Sequence, residues 1–191
     1  MNRRWSTTSD PRDLSPIERR PLLVITEDSD AQEELFFKEQ PIGAQLRLFG
    51  SAHTATLSAE NDEQRRHLLA TLPPEKLLSE RPTNYRRWWN NSWYVVEEGG
   101  EINAGEWTTA KDERLKAVVK HAHQLGFWIR FYTLDGFQQA DERGWGSDYN
   151  FGSLKAVQIR WKAALDAGVN FIATDQYEAL AQYMKQTGYK R

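Results

Sequence analysis

Two stretches, HAHQLGFWIRFYT (121–133) and AALDAGVNFIATD (163–175), share one design: the end of a helix, a glycine, then a short apolar strand. Gly126 and Gly168 are placed to stop the helices, and the aromatic and β-branched runs behind them read as strands. A helix delivering the chain into the next strand is half of a right-handed crossover unit, so the strands are parallel. The same alternation extends outward. Leu154, Val157, Trp161, Ala164 and Leu165 share one face of a helix, as do Leu115, Val118, Val119 and Ala122 of the helix before it. Thr109 and Asp112 have the spacing of a capping box, and QYEALAQYMKQ (176–186) closes the chain as an amphipathic helix.

Upstream, PLLVITED (21–28) reads as a strand apolar on both faces, and DSDAQEELFFKEQ (28–40) as a short helix with an acidic front. IGAQLRLFGS (42–51) reads as the second strand, closed by Gly50. NDEQRRHLLATL (61–72) is a helix stopped by Pro73 and Pro74, and Trp93–Glu98 a third strand turning at Gly99–Gly100. The sum is an α/β chain of parallel (β/α) units with about five strands. That is too few for a closed eight-stranded barrel, which takes roughly 250 residues. Residues 1–20, rich in Arg, Ser, Asp and Pro, read as an irregular arm before the (β/α) part at 21–191.

Composition excludes several classes. The 191 residues carry a net charge of −2, without the basic surplus that general nucleic-acid binding needs. Absence of cysteine removes disulfides, thiolate zinc sites and cysteine nucleophiles. No apolar run reaches the roughly 20 residues of a transmembrane helix, so a soluble chain is expected. The start has charge but no apolar core behind it, unlike a signal peptide, and nothing else assigns a compartment. Eight tryptophans, seven tyrosines and eight phenylalanines require either a large core or an aromatic cleft.

Strand alternation places Phe127, Ile129 and Phe131 on one face and Trp128, Arg130 and Tyr132 on the other. In AQLRLFGS, Arg47 likewise falls opposite Ala44, Leu46 and Leu48. Two arginines on the polar faces of two strands read either as a shared anion pocket or as two internal salt bridges. Acidic residues end three strands: Glu27–Asp28, Glu97–Glu98 and Asp175. Such positions serve ligand chemistry in α/β folds, although Asp175 taken alone reads first as the cap of the last helix. NYRRWWNNSW (84–93), with Trp88, Trp89 and Trp93, offers a sugar- or headgroup-lined cleft or ordinary core. The loop with Trp145, Tyr149, Asn150 and Phe151, hinged by Gly144, Gly146 and Gly152, reads as a lid or a plain connection. His121 and His123 face differently on their helix and do not suit one metal, and His67 sits among charges. His53, after the second strand, is the candidate general base. No P-loop, dinucleotide-binding glycine motif, HExxH or GxSxG is present.

GFWIRFYTLDG (126–136), the glycine-aromatic loop and RWKAALDAGVNFIATDQYEAL (160–180) together resemble the end of the PI-PLC-like phosphodiesterases. That superfamily joins phosphatidylinositol-specific phospholipase C and the glycerophosphodiester phosphodiesterases. FYTLDG and GVNFIATD stand where the latter have W-T-x-N and G-V-D-G-I-x-T-D, with Asn170 in place of the usual Asp. RRPLLVITEDSD, GAQLRLFGSAHT and NYRRWWNNSWYVVEEGG extend the resemblance over about Pro21 to Met184. It implies that residues 21–191 form a partial TIM barrel, the C-terminal half of a (β/α)₈ barrel that hydrolyses phosphodiesters, with a histidine acid–base pair and often calcium. The early motifs carrying that pair are absent here. The resemblance therefore implies pocket wall: Arg47, Glu97, Arg130, Tyr132 and Asp175 at the mouth, with Trp89 beside them. A half barrel has open edges, so self-association or pairing with a missing N-terminal half is expected. Two other readings stay open, a non-catalytic binder of sugars or phosphate headgroups and half of a carbohydrate-active barrel using Glu97 or Glu98 as acid.

Overall fold

The computed structural model describes residues 14–17, 21–138, 143 and 147–189. Five strands, β1 (Ile25–Thr26), β2 (Phe49–Ala52), β3 (Arg86–Asn91), β4 (Trp128–Phe131) and β5 (Phe171–Ile172), pair in sequence order, every neighbour parallel. Strand order never reverses, so the helices all cross on one side and the sheet curls into a partial α/β barrel. The helices are α1 (Asp30–Glu33, continued by one π turn at Glu34–Lys38), α2 (Asp62–Thr71), α3 (Pro74–Leu77), α4 (Thr109–Leu125), α5 (Leu154–Asp166) and α6 (Tyr177–Thr187).

Capping sets the helix bounds. The Asn61 side chain accepts from Gln64 N at α2, Thr108 from Lys111 N at α4, and Ser153 from Ala156 N at α5. The cap of α4 is thus Thr108, one residue before the expected box. Gly126 ends α4 in the left-handed region (φ 93°), where a side chain would be strained. The sequence expects Asp175 to cap α6, but the cap position belongs to Gln176 and carries no side-chain cap bond.

The core lies between the convex face of the sheet and the helices. Ala52, Trp89, Ile129 and Phe131 meet Leu115, Val118, Val119 and Ala122 of α4 and Val157 and Trp161 of α5, all buried. The opposite, concave face carries Phe49, Ser51, Trp88, Asn90, Trp128, Arg130 and Phe171. There Trp128 meets Phe49 and Phe171 edge-on, with centroids 6.2 and 5.9 Å apart.

Three expected elements differ. The second strand starts at Phe49, and Gly50 lies inside it. A Cβ at Gly50 would stand 2.2 Å from the Tyr85 ring, so this glycine serves close packing and does not end the strand. The third strand is Arg86–Asn91, while Trp93–Val95 forms a 3₁₀ turn despite its β-forming residues. Packing overrides propensity there: the buried Trp93 ring meets Phe131, Phe151 and Trp107 at 5.2, 6.2 and 6.0 Å. The first strand shrinks to an edge of Ile25 and Thr26, with Leu22 exposed. Of the N-terminal arm, Ser15 docks on the start of β3, donating to Asn84 Oδ1 (3.0 Å) and accepting from Arg87 Nη2 (2.7 Å).

Glu97 ties the 93–101 segment to the helices. Its carboxylate accepts from Arg160 Nε (2.9 Å) and Nη2 (3.1 Å), Lys111 Nζ (2.6 Å) and Trp93 Nε1 (2.8 Å), all in the interior behind the sheet. Breaking a buried pair strands the remaining charge and costs about 3–5 kcal/mol. Glu97→Ala is therefore expected to lower unfolding stability by about 3 kcal/mol or more in urea denaturation, whereas Glu98→Ala, at an exposed position, changes it by less than about 1 kcal/mol.

Candidate functional site

The carboxyl ends of the strands open onto a mouth made of Asp28 after β1, His53 and Thr54 after β2, Ser92 after β3, Tyr132 and Thr133 after β4, and Thr174 and Asp175 after β5. Arg130 rises from the concave floor below it. Its Nη1 donates to Asn90 Oδ1 (2.8 Å), and its guanidinium lies 5.9 Å from the Trp88 ring centroid and 5.8 Å from that of Tyr132. Among the described residues no carboxylate stands within ion-pair distance of it. Burial lowers its pKa, opposed by the nearby Tyr132 and Glu27. Arg130 borders a cavity of about 390 Å³ shared with Thr133, Thr174, Asp175 and Tyr177. A second cavity of about 400 Å³ lies across Tyr132 and Asn90 and adds Asp28, Ser51, Thr54 and Arg65.

The structure separates the residues that the sequence groups. Arg47 is exposed and precedes β2, so it does not share a strand face with Arg130. Glu97 is spent on Arg160 and Lys111 behind the sheet, away from the mouth. Trp89 is fully buried on the convex side, its Nε1 donating to Thr54 Oγ1 at 2.9 Å. Tyr132 and Asp175 do border the Arg130 cavity region: Asp175 lines it directly, and the Tyr132 ring covers the guanidinium. Burial raises the Tyr132 pKa, with Tyr149 adding to the rise, so the phenol keeps its proton and can donate. The exposed Glu98 pairs with His67 Nδ1 at 3.1 Å. Trp145, Gly144 and Gly146 of the expected lid lie outside the described residues.

His53 stands at the mouth as expected. Its Nδ1 is 3.5 Å from Asp28 Oδ2 and its Nε2 3.1 Å from Asp30 Oδ1. Asp30, Glu33 and His53 bring their ligand atoms within 4.8 Å of one another. The two carboxylates share one guanidinium, that of Arg86, whose Nη2 lies 3.0 Å from Asp30 Oδ1 and 2.5 Å from Glu33 Oε2. Calcium takes six to eight oxygen ligands. This group offers two carboxylates already bonded to a guanidinium, and an imidazole, so it does not fit the calcium that the resemblance implies. His121 and His123 serve separate acceptors, Leu78 O (2.7 Å) and Asn170 Oδ1 (2.8 Å), in keeping with their spacing.

Other buried polar groups escape sequence reasoning. Asp135 Oδ1 accepts from Thr174 Oγ1 (2.6 Å) and Asp175 N (2.7 Å), and so holds the loops after β4 and β5 together. Its Oδ2 and the neighbouring Thr133 Oγ1 are buried without a partner, and Thr133 has φ 57°. A non-glycine residue in that region is strained, a feature concentrated at functional sites. The TLDG segment is the one sequence signal for this pair. Glu101 is buried, and burial raises its pKa to about 8 against the opposing effect of the Glu101 and Trp93 backbone N–H groups, the Glu97 and Asp135 charges adding to the rise.

No known family's sequence profile matches the chain, and no curated protein does. Among solved structures, a glycerophosphoryl diester phosphodiesterase from Parabacteroides distasonis is similar at 12% identity and a TM-score of 0.34. The similarity covers 86% of this chain and 51% of that one, so the chain spans about half the length of that protein.

The Glu101 environment has a measurable consequence. Its folded-state pKa of about 8 exceeds the ordinary 4.5, so between these values the native chain holds a proton that the unfolded chain has released. The stabilisation is complete below about pH 4.5 and is lost as pH rises toward about 8, at up to about 1.4 kcal/mol per pH unit. Glu101→Gln, uncharged throughout, is expected to flatten stability over this window and to exceed the wild type at pH 8 in urea denaturation. Parallel profiles for the two proteins contradict this.

Proposed function

We propose that the mouth binds a phosphodiester headgroup of the glycerophosphodiester or phosphoinositide type, with Arg130 holding its anionic oxygens. The observation that carries this reading is the state of Arg130: half-buried, drawing on one amide oxygen and two aromatic rings, with no carboxylate among the described residues within ion-pair distance and Glu27 acting on it only from further off. A desolvated cation without an anion is costly, and a guanidinium fork matches a phosphate's paired oxygens. The second cavity suits the rest of such a molecule. Ser51, Thr54 and Asn90 can exchange hydrogen bonds with polyol hydroxyls, and the Asp28 carboxylate can accept from them.

Hydrolysis needs one group to activate the nucleophile and another to protonate the leaving alkoxide. His53, flanked by Asp28 and Asp30, is placed for one of these tasks. No second histidine of the described residues reaches the mouth, since His67, His121 and His123 are engaged elsewhere. The chain acts in this reading as a binding half that turns over substrate only when complemented.

Neither carbohydrate reading gains support. Trp88, Trp89 and Trp93 are buried, so the tryptophan cluster forms no exposed stacking platform, and Glu97 and Glu98 are both paired.

Calorimetric titration with glycerophosphocholine and glycerophosphoinositol tests the proposal. Arg130→Met is expected to weaken binding about tenfold or more, as loss of charge-assisted hydrogen bonds does, with Arg130→Lys intermediate and Arg47→Ala unchanged. Equal affinity in Arg130→Met and wild type overturns it. No diester turnover is expected from the chain alone.

A further inference from the structure

Beyond Arg130 the mouth has a third lobe, a cavity of about 220 Å³ between the first turns of α2 and the loops after β3 and β4. That is smaller than the roughly 300 Å³ at which pockets for drug-sized molecules begin. Arg65, Arg66, Ser92, Tyr94, Tyr132 and Tyr149 line it. The Arg66 guanidinium lies 5.7 Å from the Tyr94 ring centroid. Arg65 is exposed and has no carboxylate within ion-pair distance among the described residues. The Tyr132 and Tyr149 rings stand 6.1 Å apart at 57°. Asp62, at the start of α2, is the acidic member of the lining.

We propose that this lobe is a second oxyanion site, taking a phosphoryl group with at most a short substituent. Two guanidiniums and the hydroxyl residues Ser92, Tyr94, Tyr132 and Tyr149 belong to the lining, so the donors come from four separate segments of the chain. That suits a tetrahedral oxyanion better than a planar carboxylate, which a single guanidinium fork satisfies. Burial raises the Tyr94 and Tyr132 pKa values, so both phenols stay protonated as donors near neutral pH. Asp62 supplies one negative charge against two positive ones and sets the affinity below what the arginines alone would give. The site shares the Tyr132 ring with Arg130 and Arg65 with the second cavity, but its positive charge comes from Arg65 and Arg66, so the Arg130 and Arg65 variants tell its failure from that of the headgroup reading.

Titration with inorganic phosphate, followed by ³¹P NMR and calorimetry, tests the site. Arg65→Ala leaves the fold intact, because the side chain is exposed, with far-UV circular dichroism as the check. It is expected to weaken phosphate binding about tenfold or more, and Tyr149→Phe by a smaller factor. Asp62→Asn is expected to tighten binding several-fold, the opposite of its effect on a cation site. Arg130→Met leaves this component in place while weakening diester binding. Phosphate binding that is unchanged in Arg65→Ala, or weakened by Asp62→Asn, overturns the proposal. Phosphate lost in Arg130→Met but not in Arg65→Ala overturns it too and leaves the Arg130 reading standing.

Discussion

Because each parallel connection must cross on the same side, helices cover one face of the sheet and leave the other to its own side chains, of which Phe49 and Trp88 are buried and Trp128 and Arg130 half-buried. Every later feature follows from that asymmetry. Ile129 and Phe131 turn toward α4 and α5 and are fully buried, while Trp128 and Arg130 turn the other way and are not. A guanidinium could not persist among Leu115, Val118 and Trp161 without a carboxylate. It can on the uncovered side, where ring faces and Asn90 attend to it and solvent reaches the rest.

The elements legible in the sequence are those whose own residues decide them. α2, α4 and α5 carry a helical apolar stripe and a cap, and β4 carries strict alternation, so local periodicity and final packing agree. The failures sit where a distant partner decides. Val95 and Val96 favour a strand, but the Trp93 ring is held by Phe131 and Phe151, and the segment is pinned by Arg114, whose guanidinium donates to Val95 O, Leu72 O and Leu69 O. Gly50 resembles a strand stop because the ring that excludes its side chain belongs to Tyr85, far along the chain.

The candidate site divides in the same way. Arg130, Tyr132 and Asp175 can be placed from the period of a strand and the position of its end. Glu97 cannot, because its fate depends on Arg160 and Lys111 arriving from two later helices. Arg65, Arg66 and Glu101 carry no sequence signal at all: arginines on a charged helix and a glutamate after two glycines look solvated. Only the tertiary arrangement brings the first two against tyrosines and shuts the third away from water.

The outermost strands, β1 and β5, each contribute only two residues to the ladder. An open lip normally invites a foreign segment to zip on through its free amides and carbonyls, and the grip of such a zipper grows with its length. Lips this brief offer a newcomer scarcely a pair of backbone contacts at either rim. A half-shell built this way can remain open-sided without seeding fibrils.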